Sequence, residues 1–354
     1  MAKVHWREQI LRFAAVIMGV AVLAYVLSRT DTHMLAKQTK AVGWGLVLVI
    51  VLGGVSHVTK TWSWRLTFLC DLRNVSFGRT FGLRLMSEGI GKFGIAGLVL
   101  GESTRVFLLG SSVPVADSVS SVTLDRGLYA VTAAVVSVAG IISALVLVSL
   151  SATWRMYSLL LASLLLLLLI ASVVAMQRRW PVLSGCTQII GRLPLLRGWL
   201  SSKRSVISSA ENKLLHFCHE TPVRFWGSLS LNLACHGLAI LEVYLLLHFM
   251  GVRVNLAEAF VLEALTKLIN AIGAVNPGNI GTYEGGNMIL AKLIGIGSAT
   301  GLTLSLCRRV RSLFWSAIGA FCLVLILMSS RREPCVSSDF EQRLCPQSLS
   351  SALM

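Results

Sequence analysis

Three long stretches of this chain contain no Asp, Glu, Lys or Arg and are rich in large apolar side chains. They run from Gly127 to Ser151, from Met156 to Gln177 and from Ser312 to Ser330. A helix needs roughly 20 apolar residues to cross about 30 Å of hydrocarbon, and these stretches have about that length. Because lipid cannot satisfy free backbone groups, they predict membrane-spanning helices and an all-α integral membrane protein.

The composition excludes an ordinary soluble protein. Charged residues make up 14% of the chain and mean hydropathy is +0.74, whereas soluble domains carry about 25% charged residues. The net charge of +16 would suggest nucleic acid in a soluble protein, but here it favours cytoplasmic loops that face anionic lipid. The eight cysteines form no C-x-x-C pair, so we expect reduced thiols, no metal site and no cofactor.

Three further apolar segments are shorter or carry polar residues: Phe13 to Ser28, Trp44 to Trp64 and Phe225 to Met250. Lys60 and Glu242 interrupt two of them, yet their length still favours spanning, which gives six predicted spans. The first segment is alternatively a secretory signal, although no small-residue cleavage site follows it.

The predicted organisation is one polytopic membrane domain over residues 1–328. Its halves, about 1–176 and 225–328, flank a basic loop at 177–224, which the positive-inside rule places in the cytoplasm. We expect residues 329–354 to form a disordered polar tail. The number of spans and the basic residues after the last one disagree about the side on which the chain ends.

Two regions, 80–110 and 258–297, are apolar enough for the membrane but are interrupted by Gly and by charged residues. Non-helical backbone at membrane depth is tolerated only where protein buries it or a wet cavity adjoins it. We therefore predict a broken or re-entrant helix in each region, for a total of six to eight membrane-embedded segments.

The two regions also resemble each other. Each has a Glu-x-x-x-Lys pair, then a Gly-x-x-x-Gly motif with a Glu, then an Arg that begins a long apolar helix. The first set is Glu88, Lys92, Gly97, Gly101, Glu102, Asp125 and Arg126, and the second is Glu263, Lys267, Gly281, Glu284, Gly285, Arg308 and Arg309. This order predicts an internal repeat, as in transporters whose broken helices meet near mid-membrane. The alternative is coincidence in a Gly-rich membrane protein.

Residue types in these regions suggest a site for a charged head group. Each Glu-x-x-x-Lys pair lies on one helix face and can be neutral as a unit, or else snorkel at the interface. The run from Asn276 to Gly281 cannot continue a helix, because Pro277 lacks an amide donor and Gly278 adds freedom. Glu284 then needs a cationic partner. Arginines at positions 105, 126, 308 and 309 are available for it or for a phosphate, or they anchor helix ends.

These motifs resemble the two signatures of the lysylphosphatidylglycerol synthase transmembrane-region family, also called flippase-like domain proteins. The stretch from Pro277 to Glu284, followed by Arg308, resembles the second signature. The stretch from Gly101 to Arg105, followed by Leu124-Asp125-Arg126, resembles the first. The resemblance covers about residues 10–328. It departs where the family usually has a Pro and an Arg before Gly-Glu, since this chain has Gly97 and Val99 there.

The resemblance implies a multi-pass protein of the bacterial inner membrane that moves lipids. Founding members carry a cytoplasmic aminoacyl-transferase domain after the membrane part, and here a 26-residue tail follows it, so we expect no synthase activity. The residues predicted to contact the head group are Glu102, Arg105, Asp125, Arg126, Asn276, Pro277, Gly278, Gly281, Tyr283, Glu284 and Arg308. Predicted supporting residues are Glu88, Lys92, Gly97, Gly101, Glu263 and Lys267.

The function predicted from these features is translocation of a phospholipid or lipid-linked head group through a polar cavity between the two broken helices. In this hypothesis the arginines face phosphate and the carboxylates of Glu102 and Glu284 face any cationic part. Membrane lipids are the expected partners. An ion or solute transporter, a membrane enzyme acting on a lipid carrier, and a scaffold for a separate lipid-synthesising enzyme are the alternatives.

Overall fold

The computed structural model of this chain describes residues 37–330, except for 39, 74, 111–112, 149–150, 181–184, 186–207 and 210. Three predicted features therefore lie wholly or largely outside the described residues: the first span, the middle of the basic loop and the polar tail. All elements assigned within the described residues are helical, which confirms the all-α prediction for this part of the chain.

Nine α-helices follow one another along the described residues. They are α1 (Gly45–Leu66), α2 (Phe77–Ile90), α3 (Gly94–Leu109), α4 (Val115–Leu147), α5 (Ala152–Gln177), α6 (Pro222–Phe249), α7 (Leu256–Gly273), α8 (Thr282–Leu293) and α9 (Ser298–Ser330). A 3-10 turn, Gly91–Phe93, separates α2 from α3, and a second one, Pro277–Asn279, lies between α7 and α8. A further helical segment covers 211–220.

Four of these helices are long and apolar enough to cross a membrane: α1, α4, α5 and α6. They correspond to four of the six predicted spans. The sixth, Ser312 to Ser330, forms the C-terminal part of α9. The predicted total of six to eight membrane-embedded segments, and the re-entrant path of two of them, stay predictions.

Two long helices begin earlier than the apolar pattern predicted. Helix α4 starts at Val115 rather than Gly127, and α9 starts at Ser298 rather than Ser312. The prediction began each helix only after a stretch that contains Asp125 or Arg308, because a helix that faces lipid excludes such charges. In the structure these charges point into the protein and are paired there, so the helix continues through them.

Two pairs of short helices are each interrupted by a 3-10 turn, α2 with α3 and α7 with α8. The first helix of each pair packs against the 33-residue helix of the other half, which is α9 for α2 and α4 for α7. Helices α3 and α8 pack on the long helix that follows them. Gly140 has no room for a Cβ because Ala264 lies against it, and a Cβ on Gly319 would lie 2.6 Å from the backbone of Leu85. The two 3-10 turns also contact each other. The interrupted segments of the two halves therefore contact each other.

Candidate functional site

Charged side chains concentrate where the helices of the two interrupted pairs meet the other elements. They form two groups. The first ionic cluster consists of Arg84, Glu88, Glu102, Arg105, Asp125 and Arg126, and the second of Glu242, Glu263, Lys267, Glu284, Arg308, Arg309 and Arg311. Sequence-distant residues supply both clusters, because they lie on different helices.

Asp125 of α4 is the centre of the first cluster, and its side chain is 1% exposed. The Nη1 atom of Arg84 lies 3.1 Å from both of its oxygens, and Nη2 of Arg105 lies 3.2 Å from Oδ2. Arg105 is fully buried, and its guanidinium carbon is 3.8 Å from the centre of the Trp64 ring. Asp125 thus links two buried arginines, each of which has a second carboxylate: Arg84 Nε lies 3.3 Å from Glu88, and Arg105 Nη1 lies 2.7 Å from Glu102. Removal of Asp125 would leave three arginines and only two carboxylates in this cluster, so its buried charge would no longer be balanced.

Arg308 of α9 is the centre of the second cluster. Its Nε lies 3.2 Å from Oε1 of Glu242 on α6, and its Nη1 lies 2.8 Å from Oε2 of Glu263 on α7. Each carboxylate has another cation as well: Arg311 contacts Glu242, and Lys267 Nζ lies 2.8 Å from Oε1 of Glu263. The predicted contact between Glu263 and Lys267 is therefore present.

A carboxylate on the second helix of each pair contacts an arginine of the following long helix. Glu102 of α3 accepts a hydrogen bond from Nε of Arg126 at 2.7 Å, and Glu284 of α8 contacts Arg309. Glu284 is fully buried and also accepts the backbone N–H of Gly281 at 2.8 Å, at the start of α8. Glu284 thus has the cationic partner that the sequence required.

The chain between α7 and α8 leaves helical geometry, as predicted. Gly278 and Gly281 have φ values of +68° and +79°, which glycine adopts readily, and Asn279 has a φ of +53°. The carbonyl oxygen of Gly278 accepts a hydrogen bond from Nη1 of Arg309 at 3.4 Å. Asn276 Nδ2 lies 3.4 Å from the carbonyl oxygen of Ile280. These contacts hold the interruption against the start of α8 and against α9.

A cavity of about 480 Å³ lies between the two ionic clusters and is bounded by α1, α2, α4, α6, α7 and α9. Seven charged side chains line it. Five are cationic, namely Lys60, Lys92, Lys267, Arg308 and Arg311, and two are carboxylates, namely Glu88 and Glu263. His57, Tyr129, His236 and Trp315 also line this cavity. It therefore presents an excess of positive charge inside an otherwise apolar protein.

Glu88 and Lys92 do not form the contact that their spacing suggested. The Oε1 atom of Glu88 lies 3.3 Å from Nε of Arg84, and its Oε2 atom lies 3.3 Å from Nδ1 of His57. Lys92 instead donates hydrogen bonds to the carbonyl oxygen of Ser312 at 2.6 Å and to the hydroxyl of Ser316 on α9. The 3-10 turn after α2 carries Lys92 away from Glu88 and toward α9, which explains the difference.

The predicted site residues fall into those that line the cavity and those that do not. Five residues predicted to interact with the head group or to support the site line the cavity: Glu88, Lys92, Glu263, Lys267 and Arg308. The other predicted head-group residues, among them Glu102, Arg105, Asp125, Arg126, Tyr283 and Glu284, are not among its lining residues. Gly97 is buried in α3, and a Cβ on Gly101 would lie 2.6 Å from the carbonyl oxygen of Ser87. Gly101 therefore allows α3 to pack closely against α2.

Several members of the site were not predicted from the sequence, among them His57, Lys60, Arg84, Glu242 and Arg311. A usable signal existed for Lys60 and Glu242, since a charge inside an apolar segment requires a partner within the protein. For Arg84 the signal was its position one turn before Glu88, on the same helix face. The helix packing that joins these residues to the clusters had no signal in the sequence.

Comparison with known protein families gives one match, and it covers nearly the whole chain. The family described as "Lysylphosphatidylglycerol synthase TM region" matches residues 9–343. Comparison with curated proteins and with solved structures gives no significant match. The match includes both interrupted helix pairs, both ionic clusters and the cavity between them. This chain therefore belongs to the lysylphosphatidylglycerol synthase TM region family.

Proposed function

We propose that this protein is a lipid translocase that moves a phospholipid or lipid-linked head group between the leaflets of the bacterial inner membrane. The observation that carries the proposal is the cavity of about 480 Å³ between the two ionic clusters. Its size lies within the range of about 300–1,000 Å³ that is typical of small-molecule sites. The acyl chains would stay in the membrane while the head group passes through the protein.

The charge around the cavity supports a head group that contains phosphate. Among the described residues of the two clusters and the cavity lining, nine basic side chains face six carboxylates. Guanidinium and ammonium groups in a low-dielectric site bind phosphate oxygens strongly. A polar site of this kind in an apolar helical protein is expensive to maintain unless it has a function.

The arrangement of the helices supports movement through the cavity. Each half has two short helices joined through a 3-10 turn and then a helix of 33 residues, and each half packs its first short helix on the long helix of the other. Transporters built from repeats place their substrate sites where interrupted helices meet, and rocking of one half against the other alternates access. We infer that the two halves are such a repeat, with two re-entrant segments.

The test measures transbilayer movement of fluorescent lipids in proteoliposomes. The lipids carry anionic, zwitterionic and cationic head groups on the same acyl chains, and each is measured with and without a pH gradient. Ala133 on α4 lines the cavity, so Ala133→Phe fills part of it without changing a charge. Val135 on the same helix is 47% exposed and does not line the cavity, so Val135→Phe is the matched control.

We expect faster movement of at least one lipid class than in protein-free vesicles, with loss of that gain in Ala133→Phe and not in Val135→Phe. Equal rates in vesicles with and without the folded protein, for all lipids and both gradient conditions, would reject the proposal. Gradient-dependent uptake of a solute without lipid movement would favour a solute transporter. A chemically altered lipid, detected by mass spectrometry, would favour a membrane enzyme.

A further inference from the structure

Lys92 differs from the other cations that line the cavity. Its ammonium group donates to the carbonyl oxygen of Ser312 and to the hydroxyl of Ser316, which are both uncharged acceptors. No carboxylate in the described part of the chain lies within ion-pair distance of Lys92, which is not true of any other lysine or arginine of the lining. Lys92 is partly buried, so its ammonium group has lost part of its hydration without gaining an opposite charge within ion-pair distance.

The other four lining cations each have a carboxylate. Lys60 Nζ lies 4.0 Å from Oε1 of Glu88, and Lys267 Nζ lies 2.8 Å from Oε1 of Glu263. The two arginines of the lining, at positions 308 and 311, both contact Glu242. These cations already have carboxylate partners, so Lys92 is the cation of the lining that an incoming group can engage without breaking an ion pair.

The two carboxylates of the lining also have partners of opposite charge already. Glu88 contacts His57 and Arg84, and Glu263 contacts Lys267 and Arg308. A cationic head group would therefore have to compete with cations that are fixed by the helices and need no ordering. An anionic head group meets no such competition at Lys92.

Building on the proposed function, we propose that the cavity selects head groups of net negative charge that contain a phosphate ester, and that Lys92 is the residue that determines this selectivity. The phosphate oxygens replace the Ser312 carbonyl and the Ser316 hydroxyl as acceptors of the Lys92 ammonium group. Because these two serines belong to α9 and Lys92 belongs to the turn after α2, binding also releases a contact between the two halves.

The experiment measures equilibrium binding rather than transport. The chain, purified in detergent, is titrated by calorimetry with dihexanoyl phosphatidylglycerol, dihexanoyl phosphatidylcholine and a dihexanoyl lysyl-phosphatidylglycerol, which are anionic, zwitterionic and cationic. Glycerol phosphate is titrated as the soluble form of the same ester. The variants are Lys92→Gln and Lys92→Arg, with Lys292→Gln as control, because Lys292 is an exposed residue of α8 outside the cavity.

Loss of one charge-assisted hydrogen bond changes affinity by about 10- to 100-fold. We expect the anionic lipid to bind at least about tenfold tighter than the zwitterionic one, because both carry the phosphate but the excess of positive charge in the lining repels the choline cation. Lys92→Gln should remove that preference by weakening anionic binding alone, whereas Lys92→Arg and Lys292→Gln should keep it. Folding of each variant is checked by its elution volume and thermal unfolding.

Equal affinity for the three lipids, or tighter binding of the cationic one, would overturn the inference. So would an equal loss of affinity for all lipids in Lys92→Gln, since that indicates a structural role. Glycerol phosphate binding as tightly as the anionic lipid supports the selectivity but assigns the site to a soluble ester, which counts against the lipid translocase. Selective binding of lipid without transbilayer movement would likewise uphold this inference and reject the proposed function.

Discussion

Both ionic clusters compensate buried charge, but the central residue is a carboxylate in the first and an arginine in the second. In the first, a central carboxylate, Asp125, is held between Arg84 and Arg105. In the second, a central arginine, Arg308, is held between two carboxylates. Burial requires that charge be compensated and does not prescribe which sign lies at the centre. The central residue of each cluster can therefore carry either charge, provided that its neighbours carry the opposite charge.

The outer pairs of the clusters, by contrast, keep their sign. Glu102 contacts Arg126, and Glu284 contacts Arg309, so in both halves the short second helix supplies the carboxylate and the long helix the arginine. In the second half this carboxylate also accepts the backbone N–H at the start of its helix. A carboxylate near a helix N-terminus is favoured by the helix dipole, which gives a reason for the fixed sign there.

The largest difference between the clusters should appear when their central residues are removed. Asp125→Ala leaves two buried arginines without this carboxylate, and we expect it to lower the free energy of unfolding by about 3–5 kcal/mol. Arg308→Leu should have a smaller effect, because the second cluster then keeps three cations and three carboxylates, whereas Asp125→Ala leaves three arginines with only Glu88 and Glu102. Thermal unfolding in detergent measures both. An equal or larger effect for Arg308→Leu would contradict this account of the clusters.

The crossings between the halves allow a second comparison. Gly140→Ala and Gly319→Ala each insert a methyl group where the facing helix leaves no room, and we expect each to destabilise by about 1–3 kcal/mol. Gly127 lies on the same helix as Gly140 with open space around its Cβ position. Gly127→Ala should therefore be neutral or slightly stabilising, because alanine favours helix. Similar unfolding temperatures for all three variants would mean that the close crossings do not limit stability.

The outer pairs should differ in strength according to burial. Glu284 is fully buried, whereas the Glu102 side chain is 16% exposed. We expect Glu284→Gln to lower stability by about 1–2 kcal/mol, because a neutral amide binds Arg309 and the backbone N–H less strongly. Glu102→Gln should have a smaller effect. The measurement is again thermal unfolding, at low and high salt, and a larger loss for Glu102→Gln would show that burial does not set the strength of these pairs.

The smallest effect is expected for an ion pair outside the clusters. Arg73 and Asp71 lie in the loop between α1 and α2, 3.2 Å apart, and both side chains are largely exposed. Exposed pairs are solvated and screened, so Asp71→Asn should leave the unfolding temperature unchanged. A measurable loss there would indicate that ion pairing itself, rather than its burial, governs the stability of this protein.

The helices were predicted correctly from the sequence where the information is local. The apolar segments predicted α1, α5 and α6 closely. The interruption after Asn276 was predictable because Pro277 and the neighbouring glycines restrict the backbone in a known way. The starts of α4 and α9 were not predicted correctly. Charges that would end a helix that faces lipid are paired inside the protein there, so each helix continues through them.

The sequence by itself therefore determined that this chain is a helical membrane protein with two interrupted segments, and that Glu284 needs a cation. Only the tertiary structure decided which cation that is, and which charges face the cavity. Spacing along one helix brings Glu263 to Lys267, but Asp125 meets Arg84 across 41 positions and Arg308 meets Glu242 across 66. Those contacts depend on how helices cross, and crossing is set by the packing of all their surfaces at once.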